Sequence, residues 1–545
     1  MKTVENKGFL ANNKTEYEVD FFKDKVEKLE DENQLLNSEN QVLKHTIEEQ
    51  EAKLKYYEEQ LRLNAEKKYS PSSEKNPDQL SLFNEAEIES VKNQMEIDLE
   101  KITYNRRKGK TKSRKTYDDL PIVEVKYVLD DDELDCPTCG GKLHEMKVET
   151  RKELVIVPAE VKVKHIHRQY YACRTCDNKG TTGTIVAAPV PNAVLPKSLV
   201  SPSLLAFIMD KKYREAMPLY RQEKGFENLG IDIPRQNMGS WIIKGAEIWL
   251  KPLFERMNYY LLQEDIIHAD ETTLQVIDEK DNKKNYMWYY GSSKSSDKHI
   301  SIFDYQKSRS ANHPKKFLGN YNGYLQTDGY AGYNKLKVKH LACMAHARRK
   351  FDEALKAAPK DADISKTKSK KALKYFSNIY KYEKVFKADN LDFNEIYAKR
   401  LEFTKPILEE FHEWLLAESK KTLPKSLLGK AITYSLKQWD KLIVFLEDGR
   451  LLPDNNHAER AIKNFVIGRK NWLFSKSSKG ATASGIIYSI VETAKANNLN
   501  VFKYLTYLFE ELPNIDLEDF NQLDALLPWK ETIPNEILLM PKNSK

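Results

Sequence analysis

The chain has 545 residues and a net charge of +7, from 88 basic and 81 acidic side chains. That length accommodates several domains with buried cores, and so weak a charge bias does not by itself identify a nucleic-acid binder. No apolar run reaches the ~18 residues of a membrane-spanning helix, and the opening MKTVENKGFLANNKTEYEVD has no apolar core of a signal peptide, so a cytoplasmic protein is expected.

From Phe22 to Leu61 a seam recurs at alternating steps of four and three: Phe22, Val26, Leu29, Asn33, Leu36, Asn40, Leu43, Ile47, Gln50, Leu54, Tyr57 and Leu61. These heptads predict a coiled coil over 17–66 and a homodimer or higher assembly. Asn33 and Asn40 cost stability at the seam and favour one parallel register. The other reading is a long amphipathic helix packed on its own protein. The turn-rich SPSSEKNPD is expected to end the helix.

The linker 67–118 contains RRKGKTKSRK, in which seven of ten residues are Lys or Arg. Arg106, Arg107 and Lys108 there suit phosphate contacts, and equally suit a solvated linker. Residues 119–195 carry two CxxC pairs, Cys136/Cys139 and Cys173/Cys176. Each pair can form a knuckle placing two thiolates on one tetrahedral ion, which predicts a zinc-ribbon-like domain with structural Zn²⁺. Reduced thiols without metal are the alternative. Between the pairs, ELVIVPAEVKVKHIHRQYYA alternates and predicts a hairpin, with His165 and His167 on its surface.

Residues 196–260 turn helical. A helix, a Gly-containing turn and a second helix opening on Arg235, Gln236 and Asn237 resemble a helix-turn-helix whose polar start could reach DNA bases. An ordinary helical bundle fits the same pattern.

In 261–351, EDIIHADETTLQVI, NYMWYYGSS and HISIFDYQ predict an antiparallel meander. A helix, the strand GYLQTDGYAGY and a strand-to-helix run HLACMAHARRKF follow. This order puts Asp270 on the first strand and Asp328 just past the fourth, on strands that can be neighbours. Two such carboxylates with a third can hold a pair of divalent ions for phosphoryl transfer. Glu459, in the helix predicted from NNHAERAIKNFVI, is the candidate third. Each residue also has a plainer reading. Asp270 fits a strand-end turn, Asp328 an Asp-Gly turn, and Glu459 a capping box begun by Asn456. The 131 positions from Asp328 to Glu459 require an insertion, expected to be helical over 352–450. Lysines in KTKSKKALK suit DNA contact or a solvated face. Cys343 and His346 are weak evidence of a metal site, whereas Arg348 and Arg349 suit contacts near the active site.

HADETTLQV, LQTDGYAGYN, CMAHARRKF, NNHAERAIK and GRKNWLFSKSSKGA resemble the DDE transposases of the bacterial insertion sequence 66 family. The order of parts does too, so the likeness covers nearly the whole chain. It implies a ribonuclease-H-like core, in 261–351 and 451–512, with Asp270, Asp328 and Glu459 as the metal-binding triad. It also implies Mg²⁺ or Mn²⁺ as catalytic ion, a zinc-finger DNA-binding region and, in many such elements, small accessory proteins. The basic strip departs from the pattern of a minor-groove hook, since it lacks an Arg-Gly-Arg-Pro core. Arg460, Lys463, Arg469, Lys470 and Lys476 would then face DNA phosphates around Glu459. Trp472 either stacks on an unpaired base or lies in the core, which the following Leu473 and Phe474 favour. The expected class is a multidomain α+β protein: coiled coil, zinc ribbon, helical DNA-binding region, ribonuclease-H-like core with a large helical insertion, and a tail over 513–545. The expected activity is metal-dependent cleavage of element ends and their joining to target DNA. A non-catalytic DNA-binding protein and a nuclease without strand transfer are the rivals.

Overall fold

The computed structural model of the chain describes residues 5–69, 160–172, 185–279, 284–359 and 363–539. The four CxxC cysteines and the basic strip lie outside these residues. The chain divides into two compact units, residues 85–190 and the remainder.

Helix α1 (Glu5–Tyr69) is continuous and stops where the turn-rich segment begins. Its seam residues Val26, Leu29, Leu36, Leu43, Ile47 and Leu54 are all exposed in the single chain. Its last turns behave differently. Leu63 is buried, Arg62 donates to the Ala357 carbonyl, and Glu59 accepts from the Leu427 N–H. The end of the helix is therefore docked, while the heptads before it stand clear.

Of the hairpin expected over 153–172, the first seven residues lie outside the described ones. Residues 160–169 carry no strand, and β1 (Tyr170–Ala172) pairs antiparallel with β2 (Ile185–Ala187), which follows the second CxxC in the chain. His165 and His167 are exposed, as expected.

The helical region follows: α2 (Pro202–Tyr213), α3 (Leu219–Asn228), α4 (Arg235–Gly245) and, after a π-helical turn, α5 (Lys251–Leu261). Gly230, at φ +75°, makes the turn before α4. Arg235, Gln236 and Asn237 are exposed, whereas Met238, Ile242 and Gly245 are buried. The helix-turn-helix order and the bundle are thus both present, on opposite faces of α4.

The sheet consists of β3 (Ile266–Leu274), β4 (Asn285–Ser292) and β5 (Ser301–Gln306), then α6 (Asn312–Leu318), β6 (Tyr324–Thr327) and β7 (Lys339–Ala342). Its spatial order is β5-β4-β3-β6-β7. The first three strands form the expected meander, and β6 and β7 run parallel beside β3. Aromatic and branched side chains suit a pleated, largely buried surface, and β4 (NYMWYYGS) is buried along nearly its whole length.

Helices α7 (Met344–Lys356), α8 (Lys368–Ala388), α9 (Phe393–Lys399), α10 (Lys405–Ser419), α11 (Leu427–Lys437) and α12 (Trp439–Leu442) follow. They enclose a second core with Phe351, Phe376, Phe411 and Phe445 at its centre. Arg400 is fully buried there. Its guanidinium bonds both oxygens of Glu383 at 2.8 Å and the Phe445 and Asp448 carbonyls, so the buried charge is paired and its donors used.

The chain then returns to the sheet as α13 (Asn456–Trp472), α14 (Ser478–Ala496), α15 (Val501–Glu511) and α16 (Phe520–Ala525). α14 covers the β5 edge. Ser489 and Thr493, one helical turn apart, accept from the Phe303 and Ser301 N–H groups. Gly485 makes that approach possible, because a Cβ there would lie 2.7 Å from the Phe303 carbonyl oxygen.

Candidate active site

Strand register brings two carboxylates together. β3 and β6 are parallel, with His268 opposite Gln326. Two residues further along come Asp270, midway along β3 where its pairing with β6 has ended, and Asp328, just past the end of β6. The β3/β6 boundary is also where the strand order reverses, the place at which open sheets of this kind bind their ligands. β6 ends at Thr327, so Asp328 opens a turn. Gly329 takes φ +89° there, and Asp328 Oδ1 accepts from the Tyr330 N–H at 2.8 Å.

Glu459 arrives from far along the chain, and a buried polar clip sets its position. The Gln326 amide donates to the Leu452 carbonyl at 2.7 Å. The Met344 N–H donates to the Pro453 carbonyl. Asn455 is fully buried; its amide nitrogen donates to the Ala269 carbonyl at 2.9 Å, and its N–H donates to Cys343 Sγ at 3.2 Å. Its side-chain oxygen then faces His268 Nδ1 at 2.9 Å. Since that oxygen can only accept, His268 carries its proton on Nδ1. Burial pushes the imidazole down to about 4, so it stays neutral. These bonds fasten the start of α13 across the ends of β3, β6 and β7.

The capping-box reading of Glu459 does not match this helix start. Asn455, not Asn456, is the N-cap; its side chain makes no cap bond, and Asp454 Oδ1 accepts from the Asn456 N–H at 3.1 Å. Glu459 stands one residue past the position a box partner needs, and its N–H bonds the Asn455 carbonyl.

The electrostatics join the three acids. The Asp270 carboxyl is held well above its usual range, first by burial, then by the charges of Glu271 and Asp328, with Glu459 adding to the effect. Such a cluster of half-buried hard oxygen donors fits a divalent cation of the Mg²⁺ or Mn²⁺ type, which would favour ionisation of Asp270. Glu459 also faces α7, with one oxygen 3.6 Å from His346 Nδ1 and the other 3.9 Å from Arg349. Among the described residues, the group whose donor atoms all come within 4.8 Å of one another is Cys343, His346 and Glu459. Asp270 and Asp328 stand outside it. Burial pushes the Cys343 thiol far up, and its sulfur accepts from Asn455, so it serves the clip better than a metal. His346 is the member the sequence reading undervalued.

The expected DNA contacts divide. Lys463, Lys470 and Lys476 are exposed, and Arg460 and Arg349 are half-buried near Glu459. Arg348 is buried. Arg469 bonds the hydroxyls of Thr272 and Thr273 at 3.1 Å and fastens α13 to β3. Arg348 is therefore enclosed, and Arg469 commits part of its guanidinium to the sheet. Trp472 packs by its edge near Tyr213, with Lys212 4.1 Å over its ring, which places it at the rim of the core. Leu473 and Phe474 are exposed, so they do not supply the reason given for that placement.

Sequence reasoning also missed His268, Gln326 and Asn455. A faint signal existed. His268 and Gln326 each lie two residues before an aspartate, on the same strand face, and are polar within apolar runs.

Residues 197–483 match the IS66 family of transposases. The chain belongs to the IS66 transposase family. In this IS66 member, residues 133–177 match the zinc-finger binding domain of transposase IS66, and 489–529 match the IS66 C-terminal element. Residues 56–125 match a family described as transposase C of IS166 homeodomain. Two relatives from Sinorhizobium fredii, the uncharacterized proteins y4jD and y4hP, are each 29% identical to it. The first alignment covers 75% of this chain and 80% of y4jD, the second 75% of each chain. A zinc-finger region and DNA binding accord with these matches. Among the described residues, no helix is long and apolar enough to cross a membrane.

Proposed function

We propose that this chain is a DNA transposase that binds the ends of its element, cleaves them and joins the freed 3′ ends to target DNA in the cytoplasm. The observation that carries this reading is the meeting of Asp270 and Asp328 at the reversal point of a mixed sheet, with Glu459 clipped beside them. The strand order supports a ribonuclease-H-like core. Asp270, Asp328 and Glu459 would hold Mg²⁺ or Mn²⁺, which when bound activates the attacking oxygen and stabilises the leaving one.

The chain's own groups do the rest. Burial of the carboxylates excludes bulk water and strengthens their pull on a cation. His346 and Arg349 hold Glu459 from the α7 side. Lys463 and Lys470, exposed on α13, track the DNA backbone, and Arg235, Gln236 and Asn237 offer a second contact at the start of α4. The exposed heptads of α1 would pair two chains and so two element ends. Structural Zn²⁺ on Cys136, Cys139, Cys173 and Cys176 would fold the smaller unit, and small accessory proteins of the element are further partners.

The test is a cleavage and joining assay on cognate ends with Mg²⁺. Joined products support the reading. Cut ends that never join would indicate a nuclease, and binding without cutting a non-catalytic DNA-binding protein.

A further inference from the structure

Glu271 follows Asp270 on β3, and its side chain lies on the opposite face of the strand. It is 1% exposed, so a carboxylate is committed to the interior where no metal role has been assigned to it. Its partners explain the cost. Arg309, from the loop after β5, bonds Glu271 Oε1 through Nε at 2.7 Å and also through Nη2. The buried Tyr333 hydroxyl donates to Oε2 at 2.8 Å.

Both partners lead to the turn that carries Asp328. The Arg309 guanidinium lies 3.8 Å over the Tyr330 ring, and the Tyr330 hydroxyl donates back to the Arg309 carbonyl. The Tyr330 N–H is the group that bonds Asp328 Oδ1. Tyr333 closes the same turn. On the other side, the Tyr434 hydroxyl donates to the Asp328 carbonyl at 3.0 Å. The Asp270 carboxylate is fixed from the Glu271 side as well, since its Oδ1 accepts from the Glu271 N–H at 2.8 Å.

We infer that Glu271, Arg309 and Tyr330 form a clamp that sets Asp328 relative to Asp270, making Arg309 and Glu271 positioning residues for a divalent-cation site. This rests on the proposed metal role of the two aspartates. It goes beyond that role by naming groups that act without touching the ion. An Arg is suited to the task because one planar group can bond a carboxylate in its plane and stack on a ring with its face.

The test uses the full-length chain and Mn²⁺ alone as probe, with free Mn²⁺ followed by electron paramagnetic resonance and cleavage of end DNA measured in parallel. Loss of a group that orients a ligand weakens metal binding by about tenfold or more. Arg309→Met and Tyr330→Ala are each expected to weaken Mn²⁺ binding by that factor, with cleavage largely restored at saturating Mn²⁺. Tyr330→Phe keeps the ring on which Arg309 stacks and loses only the hydroxyl bond to the Arg309 carbonyl, so it should bind Mn²⁺ clearly more tightly than Tyr330→Ala. A merely structural role would lower the melting temperature without moving the Mn²⁺ dependence. If Arg309→Met fails to fold, Tyr330→Ala at the half-buried end of the clamp decides. Unchanged Mn²⁺ affinity in a folded Tyr330→Ala chain overturns the inference, as does a Tyr330→Phe chain that binds as poorly as Tyr330→Ala. A wild-type chain that binds Mn²⁺ but never cuts DNA overturns the transposase reading and leaves the clamp standing. A wild-type chain that binds no Mn²⁺ overturns both.

Discussion

His268 donates through Nδ1 to the side-chain oxygen of Asn455 at 2.9 Å, and both residues are fully buried. This bond joins the strand of Asp270 to the helix of Glu459. Asn455→Ala would leave the His268 N–H and the Ala269 carbonyl without their partner. Each such loss costs about 1–3 kcal/mol, so the variant should be destabilised by about 2–6 kcal/mol in denaturant unfolding. Cleavage measured well below its melting temperature should fall further than the folded fraction does, because Glu459 loses its anchor. Normal stability in Asn455→Ala would show that the clip does not hold α13.

Asp304 on β5 makes a separate, pH-dependent prediction. Burial raises its carboxyl to about 6, against small lowering contributions from Gln306 and Lys316. The folded state therefore binds a proton more readily than the unfolded chain. Stability from this group is fullest below the unfolded value near 4 and is lost as pH rises through about 6. Asp304→Asn should gain stability at pH 7.5, by at most about 3 kcal/mol and less where solvent reaches the carboxyl. That gain should vanish near pH 4. A pH-independent difference between the two proteins would contradict the assignment.

Much of this arrangement is written in local sequence. The meander, the strand leading to Asp328 and the helix carrying Glu459 follow from alternation and turn residues, and the strand order made β3 and β6 possible neighbours, while their register came only from the structure. What joins the sheet to α13 is less legible. Asn455 contacts Ala269, His268 and Cys343, which lie more than a hundred positions away, and no periodicity announces such a bond. The same holds for Arg309 and Glu271. The burial of Arg348 and the bonds of Arg469 to β3 were hidden because a basic residue on a helix reads alike whether it meets phosphate or protein. Before Cys173, alternation marked extended chain over 160–169 but did not name the partner of Tyr170–Ala172, because pairing depends on residues elsewhere.

The zipper can be tested without removing the docked end of α1. Leu36 and Leu43 lie on the seam and are exposed in the single chain. Leu36→Glu with Leu43→Glu should abolish dimers in light scattering and weaken cooperative binding to paired ends, while each chain keeps its fold. An unchanged mass would move self-association elsewhere.

Zinc should be present at one ion per chain. Cys173→Ser should lose it and unfold the region matched to the zinc finger, because metal binding and folding are linked there. The body that carries Asp270 should melt as before. Elemental analysis finding no zinc in wild-type protein prepared without chelator would remove this site.

The most direct measurement is end cleavage and joining by Asp270→Asn, Asp328→Asn and Glu459→Gln, with end binding and melting temperature followed in the same preparations. Each substitution keeps size and removes charge. If the three carboxylates hold the catalytic ions, each variant loses roughly a thousandfold or more in rate, while DNA binding and stability stay near wild type. Glu459→Gln is the most informative of the three, since Glu459 shares no strand with the aspartates and makes no cap. A Glu459→Gln protein that cleaves and joins ends at the wild-type rate would contradict the account, and Asp454, half-buried just before the same helix, would be the next acid to examine.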